Sequence, residues 1–73
     1  MDEIAGTERV AEGILLQVKT RTGERELVFT FKELIDSQVN ALHLLQFPHK
    51  YLCDPEARVI VRRQRKRADP FQG

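Results

Sequence analysis

The chain has 73 residues, with twelve Lys/Arg, eleven Asp/Glu and a formal net charge of +1. A chain of that length buries about 60% of its unfolded surface, so it supports one thin-cored domain and leaves little room for a cofactor-sized cavity. The single Cys53 excludes an internal disulfide framework, no stretch has the unbroken apolar length of a membrane span, and the first residues lack a signal-peptide core, so a cytoplasmic protein with no membrane partner is expected.

Taken in order, residues 1–8 are small, polar or acidic and read as a flexible leader, with one α+β domain over 9–62 and a disordered basic tail over 63–73. Ile14, Leu16 and Val18 alternate with Leu15, Gln17 and Lys19, and Leu27, Phe29 and Phe31 alternate with Val28, Thr30 and Lys32. A period of two in both runs predicts a hairpin. Gly23, free of a Cβ, suits the positive φ of a short loop between them.

The period then changes. Leu34, Ile35, Val39, Leu42 and Leu45 fall at helical spacing, and Thr30 with Glu33 has the Thr-x-x-Glu form of a capping box. One amphipathic helix over about 31–46 is expected, packed on one face of the sheet. Asp36, Ser37 and Asn40 are poor interior helix residues, and the alternative is a short helix ending near Asp36. Phe47-Pro48 stops the helix and Tyr51-Leu52-Cys53 has the length of a very short strand. Asp54-Pro55-Glu56-Ala57 forms a turn, and Arg58 to Arg62 reads as the third strand. The expected fold is therefore α+β: a small three-stranded, mostly antiparallel sheet, one helix and a basic tail. Val59 and Val61 join Ile35 and Leu42 in the expected core.

Charge is unevenly placed. Residues 1–36 carry −3 and residues 37–73 carry +4. Arg58, Arg62, Arg63, Arg65, Lys66 and Arg67 put six of the twelve basic residues into ten positions. Arginine forks match phosphate oxygens, so this run is the candidate contact for nucleic acid or an acidic protein. With no aromatic residue inside the run, base stacking is not indicated. Leu15, Val28 and Ile60, one per strand, are placed on the sheet face opposite the main apolar stripe and form a candidate protein interface or weak dimer contact. His43, His49 and Cys53 match no zinc-site spacing, and although His49 lies close to Cys53 in sequence as a base, no orienting partner or oxyanion donor is evident, so no metal, cofactor or catalytic residue is expected.

In size and make-up the chain is similar to the small regulators by which phages and mobile elements bind host machinery, although no family motif maps onto it residue by residue. That likeness implies a non-enzymatic regulatory module whose partner is the transcription machinery, RNA polymerase included. The alternative is direct DNA or RNA binding through the basic run. A small nuclease is a third reading, without a catalytic constellation or a small-molecule substrate to support it.

Overall fold

The computed structural model describes residues 1–63. Five strands, β1 (Asp2–Arg9), β2 (Gly13–Thr20), β3 (Gly23–Thr30), β4 (Tyr51–Asp54) and β5 (Val59–Arg62), form one curled antiparallel sheet in the order β3-β2-β1-β4-β5. Two short helices, α1 (Phe31–Asp36) and α2 (Ala41–Gln46), follow β3. No helix among the described residues is long and apolar enough to cross a membrane.

The hairpin forms as its alternation dictates. Ile14 pairs with Phe29, Leu16 with Leu27 and Val18 with Arg25, which sets Ile14, Leu16, Val18 and Phe29 on the buried face. Gly23 takes φ 132° beyond the Arg21-Thr22 turn, and the Thr20 hydroxyl donates to its carbonyl at 2.7 Å.

The expected leader is instead the middle strand. Over Ile4–Arg9, β1 pairs with β2; over Asp2–Glu3 it pairs with β4. It thus joins the two halves of the sheet. Only Ile4 contributes a large buried side chain. Thr7 adds a tie, its hydroxyl donating to the Leu45 carbonyl of α2 at 2.8 Å. Backbone pairing on both edges overrides a weak strand propensity. The three-stranded expectation fails for the same reason, and β5 pairs with β4 rather than with either hairpin strand.

The single helix is also corrected. The capping box is present: the Thr30 Oγ1 accepts from the Glu33 N–H at 3.1 Å and the Thr30 N–H donates to Glu33 Oε1 at 2.9 Å. After one and a half turns the helix stops. Gln38 takes φ 60°, the Val39 N–H donates to the Leu34 carbonyl at 2.8 Å and the Gln38 N–H to the Ile35 carbonyl at 2.9 Å. This is a Schellman stop, closed by contact between buried Leu34 and Val39. Asn40 then caps α2 by accepting from the His43 N–H at 3.0 Å. Two of the polar residues that weakened the continuous helix sit at the break, Ser37 as the C-cap of α1 and Asn40 as the N-cap of α2, with Gln38 making the left-handed turn between them.

This turn decides which apolar side chains are buried. Leu34, Val39 and Leu44 enter the core with Ile4, Tyr51, Cys53 and Ile60. Ile35 and Leu42, expected inside, are 72% and 66% exposed, and Val59 and Val61 are each 42% exposed.

Candidate nucleic-acid interface

The site grows out of the segment that follows α2. The Phe47 N–H donates to the His43 carbonyl at 2.8 Å, and the Lys50 N–H to the Phe47 carbonyl at 3.0 Å. Between them Pro48–Lys50 makes one 3-10 turn, whose first position suits the fixed φ of proline. The chain then enters β4. Tyr51 pairs with Arg62, and beyond it the Arg63 N–H donates to the Lys50 carbonyl at 2.7 Å. Sequence-distant cations are thereby set side by side. His49, Lys50, Arg62 and Arg63 line one open groove at this end of β4 and β5.

Aromatic rings flank it. The His43 and Phe47 ring centres are 5.0 Å apart, His49 meets Phe47 edge-on at 6.3 Å, and the Lys50 ammonium lies 5.1 Å from the Phe47 centre. His43 Nδ1 and the Tyr51 hydroxyl share a hydrogen bond at 2.7 Å. Desolvation, and then the charges of Arg62 and Lys50, hold the His43 pKa below its ordinary 6.5, as expected for an imidazole among like charges.

The expected basic residues separate into three groups. Arg62 is exposed with no ion-pair partner among the described residues, and Arg63 reaches Glu3 at 2.9 Å. Arg58 is turned away from both. Its guanidinium makes a forked pair with Glu33, Nη2 donating to Oε1 at 2.9 Å and Nε to Oε2 at 3.2 Å, donates to the Val28 carbonyl at 2.7 Å and lies 4.6 Å from the Phe29 ring centre. It fastens the β4–β5 turn to β3 and the start of α1 and is not available for phosphate. Arg65, Lys66 and Arg67 lie outside the described residues.

The expected apolar trio does not assemble. Leu15 and Val28 are cross-strand partners and half-buried on the outer face. Ile60 pairs with Cys53 and turns inward, 4% exposed. Opposite residues in an antiparallel pair share a face, so Ile60 follows buried Cys53 while Val59 and Val61 point outward. Cys53 itself is a core side chain, its pKa pushed up to about 11 by burial and then by the Asp54 and Asp2 charges. A thiol so held is protonated at neutral pH and is a poor nucleophile or metal ligand.

Sequence reasoning missed Lys50 and Phe47, and it weighed His43 and His49 as metal ligands or as part of a catalytic set with Cys53. The signal was present in Phe47-Pro48-His49-Lys50-Tyr51, where two aromatic residues enclose His49 and Lys50 within five positions. At the opposite end of β4 the charge reverses: Asp2, Glu24, Asp54 and Glu56, with Arg21 and Arg25, line a groove between the two turns. The molecule is electrically polar along β4. No known protein family, curated protein or solved structure matches the chain.

Proposed function

We propose that the chain is a small, cytoplasmic, non-enzymatic regulatory module that acts on the transcription machinery by touching nucleic acid through the groove of His49, Lys50, Arg62 and Arg63. The observation that carries this reading is the Lys50–Arg63 backbone bond, which gathers cations from two segments into one surface. Lys50 and Arg62, which have no ion-pair partner among the described residues, suit phosphate oxygens as a point and a forked cation, while Arg63 beside them is held by Glu3 at 2.9 Å. Arg65, Lys66 and Arg67 extend the same charge along the chain.

The second reading is a protein contact, RNA polymerase being the partner to test. It is supported by β5, an outer strand of the sheet that shows Val59 and Val61 to solvent. An outer strand of this kind takes a further strand from a partner.

Salt separates the two. The full chain, titrated against a fluorescein-labelled oligonucleotide over a range of salt, should lose affinity linearly on a log–log plot. Lys50→Gln and Arg62→Gln should each lower that slope by about one. An affinity that is flat against salt, or unchanged in both variants, transfers the reading to the β5 edge.

A further inference from the structure

We infer that Phe47 is a base-stacking platform, so that the groove takes single-stranded nucleic acid in preference to duplex. This rests on the phosphate reading above and adds the form of polymer that the site selects.

Phe47 is a large ring left 37% exposed in a chain whose core is short of such groups. It is not loosely placed. Its N–H and carbonyl are both bonded, to His43 and Lys50, and the His43 ring leans on it at 46°. His49, also exposed, stands edge-on beside it. The Lys50 ammonium lies 5.1 Å from the ring centre and lines the same groove as Arg62 and Arg63. A cation next to an exposed ring is the pairing that receives one nucleotide, with phosphate on the ammonium and base on the ring. Lys50 carries its charge on a flexible stem. On binding, the ammonium moves from the ring to the phosphate and the base takes the face it leaves. A duplex keeps its bases stacked inside and presents phosphates to this surface, so the ring adds nothing to duplex binding. Stacking of this kind tolerates any base, because each has a π face.

The test uses the full chain at one salt concentration and three labelled probes: oligo-dT, a strand of equal length made of abasic sites, and a duplex of equal phosphate count. Oligo-dT should bind about tenfold more tightly than the abasic strand, the effect of stacking one base. Phe47→Leu, which keeps the apolar bulk, should remove that difference and leave the abasic and duplex affinities unchanged. Equal affinity for oligo-dT and the abasic strand overturns the inference and leaves the phosphate reading standing. Tighter binding of duplex than of oligo-dT also overturns it. Failure to bind any of the three probes overturns both readings. The oligo-dT and abasic comparison needs no substitution, so it decides the matter even if Phe47→Leu folds poorly.

Discussion

Arg58 and Arg62 stand four positions apart in one basic run, and the fold gives them opposite tasks. Arg58 follows a turn in which Asp54 accepts from the Glu56 and Ala57 N–H groups, both at 3.1 Å. It takes φ 54°, a left-handed conformation unusual for a residue with a Cβ. That geometry throws its side chain across to Glu33, the Val28 carbonyl and Phe29. Arg62, at the far end of β5, lines one surface with His43 and another with Lys50 and has no ion-pair partner among the described residues. A guanidinium that finds a carbonyl, a carboxylate and a ring together becomes part of the fold. One left without an ion pair remains available to a ligand. Counting arginines cannot make this distinction, because it depends on what each strand end faces.

The comparison is sharpest in stability. The Arg58 end also holds Gly13, which pairs with Thr30, the cap of α1. A Cβ at Gly13 would fall 1.9 Å from the Phe29 carbonyl oxygen, so the backbone itself must shift. Gly13→Ala should therefore cost about 3 kcal/mol by urea denaturation, in the range of strained core substitutions. A loss below about 0.5 kcal/mol, ordinary for a surface position, would mean that β2 and β3 are not as closely set as described. Next in size is Arg58→Ala. Its bond to the Val28 carbonyl and its contact with the Phe29 ring amount to about 1–2 kcal/mol together. Arg62→Ala should stay within about 0.5 kcal/mol of the parent. In oligonucleotide binding the order should reverse, Arg62→Ala weakening it and Arg58→Ala leaving it intact. Equal stability losses in the two variants would remove the contrast.

The same division explains what was legible in the sequence. The hairpin was readable because Ile14, Leu16, Val18, Leu27 and Phe29 meet each other locally, and alternation is enough to say so. The capping box at Thr30 and Glu33 was readable for the same reason. The strand β1 was not, since Asp2 to Arg9 holds one large apolar residue and owes its place to pairing on both edges. The helix break at Gln38 was half-readable: Asp36, Ser37 and Asn40 announce a weak point, but the choice between them depended on Leu34 and Val39 closing over the core. The face of β5 was misassigned because the pairing of Cys53 with Ile60 fixes it, and that pairing is tertiary. For the site, the basic run was visible, yet Lys50 and Phe47 joined it only when the Lys50 carbonyl met the Arg63 N–H.

A smaller effect tests the Arg58 end from its acidic side. The Arg58 guanidinium first, and the Thr30 N–H second, hold the Glu33 carboxyl below its ordinary 4.5. A folded value below the unfolded one means that the unfolded chain binds more protons in that range. The stabilisation is fully present above about pH 4.5 and is lost as pH falls through the lower folded value. Acid denaturation followed by far-UV circular dichroism should show this loss in the parent, and Arg58→Ala should flatten it. An unchanged acid limb in that variant would mean that Glu33 draws its low value from the helix cap alone.

The smallest expected effect lies at the other end, on His43. Burial and then the Arg62 and Lys50 charges lower its pKa, so folding favours the neutral ring. Its contribution to stability is complete above about pH 6.5 and falls away as pH drops through the folded value. The same two cations are those proposed to hold phosphate. A phosphate in the groove offsets their charge, so it should raise the His43 pKa, and by reciprocity protonation of His43 should strengthen binding. Oligonucleotide affinity should rise a few-fold as pH falls below 6.5, and His43→Gln, which keeps a polar partner for Tyr51, should abolish the part due to this ring. The decisive measurement is an NMR titration of the His43 ring protons with and without oligonucleotide. An upward shift on binding places the phosphate beside Arg62 and Lys50. A His43 titration that ignores the oligonucleotide would place it elsewhere on the basic run, and the groove would then be a second basic surface rather than the contact itself.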